Sequence, residues 1–129
     1  MKDGRRGQAV IELALVLPLL LTVVFGITEF GRAWMSMNVL TSAAREGVRL
    51  AVVTAPDVDA VNARVQEVCD AARIVPTGID VVGPDPADVS RRVSVTVRAN
   101  FQVVTGNILG PFRGTIPLHA TAVMRHESF

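Results

Sequence analysis

From Gln8 to Thr28 nearly every position is apolar, so no face can be told from another there. The stretch has about the length, roughly 20 residues at 1.5 Å each, that a helix needs to cross the hydrocarbon of a bilayer. Beyond it a period sets in. Phe30, Ala33, Met37, Leu40, Ala44, Val48 and Ala51 recur at three and four residues and form one stripe, with Asn38, Ser42, Arg45 and Arg49 opposite. No terminator separates the two patterns, so a single helix is expected over residues 8–54, roughly 70 Å long, with the span at about 9–28. Pro18 lacks an amide donor and is expected to kink it, a fault that membranes tolerate. Ala43, Gly47 and Ala51 make a small-xxx-small series, and a helical Gly costs about 1 kcal/mol, so something is expected to pack close to that face, either the chain's own sheet or a neighbour.

Ala55-Pro56-Asp57 breaks the helix, because the residue before Pro is pushed out of the helical region. A second amphipathic helix carries Val58, Val61, Val65, Val68 and Ala72 on one face and is expected to end near Pro76-Thr-Gly78. After it the period becomes two. Ile79–Val82 reads as a short strand, Gly83–Asp88 as a turn, and Arg92–Val104 as a long strand. In that strand Val93, Val95, Val97, Ala99, Phe101 and Val103 point one way, and Arg92, Ser94, Thr96, Arg98, Asn100 and Gln102 the other. Gly106–Gly114 reads as a loop, and Ile116, Leu118, Ala120, Ala122 and Met124 mark a final strand. The fold class is therefore α+β: a long N-terminal helix, then a small domain of one amphipathic helix and an antiparallel sheet of about three strands over residues 55–129. The Arg91-Arg92 pair near Asp85 and Asp88 reads as a solvated turn.

The exceptions to the apolar pattern carry the chemistry. Glu12 sits inside the span, where a carboxylate at a helix centre costs about 2.5–3.5 kcal/mol. Two readings are open. Glu12 snorkels to the headgroups; or, if the chain is cut between Gly7 and Gln8, the new α-ammonium of Gln8 lies one helical turn away on the same face and pairs with it, or with Glu12 of a neighbouring copy, weakly screened in an apolar bundle. Lys2, Arg5 and Arg6, opposed only by Asp3, place the N-terminus in the cytoplasm and residues after the span outside it, with Arg32 slightly weakening the bias. A cleaved secretory signal would need a small-x-small site, and residues 26–34 offer none.

Composition narrows the function further. A net charge of +1 with scattered basic residues excludes a nucleic-acid footprint. The single cysteine, Cys69, allows no intrachain disulfide; it reads as a small apolar filler on a helix, with an intermolecular disulfide as the sharper alternative. The two histidines, His119 and His126, lie far from it in sequence, which argues against a metal site, and His119 falls on the polar side of the last strand. No nucleophile elbow or Gly-rich phosphate loop appears, so an enzyme, a cofactor and a small-molecule substrate are not expected.

The string Arg6-Gly7-Gln8-Ala9-Val10-Ile11-Glu12 resembles the processing site of type IV prepilins, which a membrane peptidase cuts after a Gly so that a Glu stands fifth in the mature chain. With Gly26-Ile-Thr-Glu-Phe-Gly-Arg32 and Ala43-Ala-Arg-Glu-Gly-Val-Arg-Leu-Ala51 it resembles the TadE-like pseudopilins of the tight-adherence (Flp-type) pilus over about the first 50 residues. The resemblance implies a cytoplasmic leader over residues 1–7, cleavage between Gly7 and Gln8 by a prepilin peptidase, a subunit-pairing role for Glu12, and other pilins and the pilus assembly machinery as partners. It also implies a single-pass protein of the cytoplasmic membrane that can reach the cell surface with a pilus in cell adhesion. Major Flp pilins have Tyr after the Glu and are very short; Leu13 and the sizeable second half favour a minor pseudopilin. The alternative is a single-span anchored extracytoplasmic binding protein that is not cleaved.

Overall fold

The computed structural model describes residues 3–53, 57–84, 91–105 and 114–126, with side chains from Gly7 onward. The expected break at Ala55-Pro56, the turn at Asp85 and Asp88, and most of the Gly106–Gly114 loop lie outside the described residues. The chain is an α+β structure. Helix α1 (Asp3–Val53) is followed by α2 (Val58–Ala71) and an antiparallel meander of β1 (Pro76–Val82), β2 (Arg92–Gln102) and β3 (Thr115–Arg125), with β2 in the middle.

Helix α1 runs unbroken through Pro18. Thr22 and Thr28, polar residues in an apolar run, satisfy their hydroxyls by donating back to Pro18 O and Val24 O at 2.8 Å, the usual solution for Thr in a helix. Helix α2 starts at Asp57, whose extended backbone (ψ 97°) lets its carboxylate accept from the amides of Asp59 and Ala60 at 3.1 and 3.3 Å. It ends five residues before Pro76, earlier than the sequence suggests. Arg73 takes a left-handed backbone (φ 57°), and the amides of Arg73 and Ile74 bond back to Asp70 O and Cys69 O at 2.9 Å, closing a Schellman cap. That early stop frees Pro76–Gly78 to open β1, where Pro at a first strand position is tolerated and the register slips between Pro76 and Gly78.

The alternation in β2 survives folding: Val93, Val95, Val97, Ala99 and Phe101 are buried while Arg92, Arg98, Asn100 and Gln102 are exposed. Its register against β3 pairs Val95 with Ala122, Val97 with Ala120 and Ala99 with Leu118, so one sheet face is apolar throughout. The other face is mostly polar, with Val82 and Val123 exposed on it. Thr96 and Thr121 share a hydrogen bond at 2.9 Å, and Arg98 pairs with Asp80. Both helices lie on the apolar face, and the core is Leu40, Ala44, Val48 and Ala51 of α1, Val61, Val65 and Cys69 of α2, and the inward residues of β2.

Three residues of the expected stripe on α1 do not enter that core: Phe30 is 68% exposed, Met37 37%, and Ala33 is half-buried. Helix α2 packs back down α1, with Val61 and Val65 at Gly47 and Ala71 and Ala72 beside Met35 and Asn38, so its cover ends before Phe30. On α2 the buried face is Val61, Val65 and Cys69, and Val58, next to the N-cap, stays 47% exposed.

Candidate membrane-anchoring and assembly site

The functional candidates sit on α1, which divides into two parts. Every residue from Gly7 to Val24 is exposed, including Gly7, Gln8 and Glu12. This is the apolar part: its most apolar 18-residue window has a mean hydropathy of 2.6 and is 0% buried. Uncovered large apolar residues such as Leu13, Leu15 and Leu19 (62–74% exposed) run round all faces of the helix. Water penalises that much bare apolar surface at about 25 cal/mol per Å², and a bilayer removes the penalty, so the helix suits single-pass membrane anchoring.

The small-residue series lies on the other part. Ala43 and Ala51 are fully buried, and a Cβ added at Gly47 would meet Val65 Cγ2 at 2.7 Å, Val95 Cγ1 at 3.2 Å and Val61 Cγ1 at 3.5 Å. The close neighbours of Gly47 are thus the chain's own α2 and β2, and the glycine is what lets them approach.

Between the two parts stands a residue that sequence reasoning passed over. Glu29 is the first residue after the apolar run, and its side chain is only 14% exposed. Its Oε1 accepts from the amides of Val104 and Thr105 and from Thr105 Oγ1, each at 2.8 Å, while Oε2 accepts from Arg32 Nη1 at 2.6 Å. The Arg32 guanidinium also lies 5.1 Å from the centre of the Phe101 ring. Burial works against ionisation of Glu29, but the amide and hydroxyl of Thr105, the charge of Arg32 and the Val104 amide outweigh it and hold the carboxyl below its usual pKa. This clasp ties the end of β2 to α1 at the outer edge of the apolar run. The Glu29–Arg32 spacing of three was the one signal in the sequence; nothing local pointed to Val104 and Thr105, 75 and 76 residues away.

The remaining candidates are dispersed. Cys69 is fully buried, and burial, with the nearby charge of Asp70, raises its thiol pKa, which removes it from easy intermolecular exchange. His119 is exposed opposite Arg98. On the surface Arg64 bridges Glu67 at 2.7 Å and Glu46 at 3.7 Å, linking α2 to α1.

An apolar helix standing on a small α+β domain defines the class: a helix-anchored protein whose anchor is continuous with its core. The model of the TadE-like protein family matches residues 7–49, about a third of the chain, taking in the whole apolar run and most of the helix face that packs on the domain. No curated protein and no solved structure matches the chain. The match is a similarity confined to α1 and leaves α2 and the sheet unmatched.

Proposed function

We propose that this chain is a TadE-like minor pseudopilin, processed by a prepilin peptidase between Gly7 and Gln8 and acting in assembly of a tight-adherence pilus. Residues 1–7 form the cytoplasmic leader, 8–54 the helix with its span at about 9–28, and 55–129 the extracytoplasmic domain. The observation that carries the reading is the division of α1: one continuous helix whose first part is apolar and covered by none of the other described residues, and whose second part is built into a core. Such a helix offers its bare part to lipid first and to neighbouring pilin helices afterwards. Glu12, exposed on that bare part, is a carboxylate for the α-ammonium that cleavage creates one turn away, in its own chain or a neighbour's.

N-terminal sequencing of membrane-extracted protein from a host with an active prepilin peptidase should begin at Gln8; a start at Met1 or Lys2 overturns the reading. Glu12→Gln should keep insertion and cleavage but sharply reduce co-purification with other pilins. Gly7→Leu should reach the same assembly defect by blocking cleavage. If Glu12→Gln assembles as well as the parent while Gly7→Leu does not, the carboxylate pairs with nothing. Orientation is read with an exposed thiol: Ala63→Cys on the outer face of α2, in a Cys69→Ala background, should react with an impermeant reagent on spheroplasts. Reaction only after lysis reverses the topology.

A further inference from the structure

Beside the Glu29 clasp, on the domain side of α1, is a cleft of about 370 Å³ that the proposed function leaves unused. Arg32 and Arg73 line it together with Asn100 and Gln102, and its apolar walls include Val75 and Val104, which are 78% and 49% exposed. The charge inside is unbalanced. Glu29 offsets one guanidinium, but both its oxygens are already occupied, and among the described residues Arg73 has no ion-pair partner. Arg32 keeps further donors beyond the one given to Glu29, since a guanidinium carries five. Arg73 also stands at the left-handed position of a helix cap, where Gly is the low-cost residue, so the backbone bears strain to hold a cation on that wall.

The depth of the cleft decides what fills it. If the span ends at Thr28, Arg32 lies about 6 Å and Ser36, another wall residue, about 12 Å farther along the helix axis. Each headgroup layer is about 5–8 Å thick, so Arg32 stands within it and Ser36 just above it. On the opposite side of the helix at the same height, Phe30 and Trp34 stack at 6.2 Å and are 68% and 62% exposed, as aromatic side chains at a membrane interface are.

We propose that this cleft binds the headgroup of an anionic phospholipid of the leaflet in which the span ends, with the phosphate on Arg32 and Arg73 and the upper acyl chain along Val75 and Val104. A soluble anion would make no use of exposed apolar walls, and a zwitterionic lipid would leave the second guanidinium unbalanced. The lipid would brace the domain against the membrane from the side of the clasp. The proposal rests on the membrane-crossing reading of α1.

The full chain is reconstituted into bilayers of mixed phosphatidylglycerol and phosphatidylcholine, extracted gently, and its retained lipids are weighed by native mass spectrometry. The parent should retain phosphatidylglycerol about fivefold over phosphatidylcholine, the ratio that one basic residue near an anionic surface supports. Arg73→Gly, which suits the left-handed backbone and so spares the fold, should bring the ratio close to one. Arg125→Gln, at the far end of β3, should leave it unchanged. Equal retention by parent and Arg73→Gly overturns the proposal. So does an equal loss in Arg125→Gln, which would mean diffuse charge, or displacement of the lipid by glycerol phosphate, which would mean a site for a soluble anion. Resistance of the parent to carbonate extraction is measured alongside. A chain that washes off the membrane fails at the reading beneath the proposal, whereas one that stays inserted without lipid selectivity refutes the cleft alone.

Discussion

Both parts of α1 are more than half apolar, yet from Gly7 to Val24 every position is exposed, whereas Leu40, Ala43, Ala44, Val48 and Ala51 are fully buried. The difference lies in arrangement. In the first part apolar residues surround the helix, which leaves no polar face to turn toward water and suits a solvent that is apolar on all sides. In the second part they share the helix with Asn38, Ser42, Arg45 and Arg49, so one face packs and the other is solvated. A single helix can therefore serve two solvents, provided the pattern changes where the solvent does. Glu29 marks the change.

The comparison is tested most strongly by removing the same side chain from each part. Leu40 is fully buried among both helices and β2, and Leu40→Ala should cost about 3 kcal/mol, within the range for large-to-small changes in a packed core. Leu20→Ala, at a position 56% exposed, should leave domain stability unchanged and affect only insertion. Thermal unfolding of the detergent-solubilised chain, followed by circular dichroism, separates the two. Equal losses would mean that the bare part is packed after all.

The next largest effect comes from adding bulk. At Gly47 the first added carbon already meets a Val65 methyl at 2.7 Å, and Val side chains are stiff about χ1. Gly47→Leu should therefore destabilise by about 1–3 kcal/mol through overpacking. A Cβ at Gly31 has nothing within 4 Å, and Gly31→Leu should be accepted without loss in the same melting experiment.

What could be read in advance follows the same division. The period of two in β2, the core stripe from Leu40 to Ala51 and the length of α1 were all legible, because each is fixed by neighbours three or four residues away on a helix or two away on a strand. The small-residue series showed that something approached Gly47 but left open what did. Phe30, Ala33 and Met37 were misplaced in the core, since the pattern on α1 cannot show where α2 stops covering it. The end of α2 was misread because an arginine, not a glycine, takes the left-handed cap. The clasp was missed for a different reason: its partners are joined by chain topology, and no periodicity connects residue 29 to residue 104. The proposed roles of Gly7, Gln8 and Glu12 rest on sequence, and the fold places those residues on the bare part of α1 where another molecule would have to meet them.

Glu29 offers a subtler test, at the boundary itself. Glu29→Gln keeps the shape and one acceptor but loses the charge that strengthens the bonds from Val104, Thr105 and Arg32, so the clasp should weaken by about 1–2 kcal/mol. The pH dependence has a definite sign. A carboxyl whose pKa is lower folded than unfolded contributes stability above its unfolded value, and loses it as pH falls through the folded one. Amide exchange at Val104 and Thr105 should therefore accelerate below about pH 4 in the parent, relative to β2 amides, and be insensitive to pH in that window in Glu29→Gln once intrinsic rates are removed. Matching profiles would show that the carboxylate does not hold the segment.

The smallest effect expected is a difference of sign between two alanines. In a helix interior Ala is favoured over Gly by about 1 kcal/mol, from backbone entropy alone. At Gly31 nothing opposes that gain, so Gly31→Ala should raise stability by a few tenths of a kcal/mol up to about 1, the upper figure requiring that the helix there unfolds with the domain. At Gly47 the same gain meets the Val65 and Val95 methyls, and the contact should cancel or exceed it, leaving Gly47→Ala neutral to destabilising by about 1 kcal/mol. Paired melts of the two variants suffice. If Gly47→Ala stabilises as much as Gly31→Ala, the core can yield around an added methyl, and the close approach of α2 does not depend on the glycine.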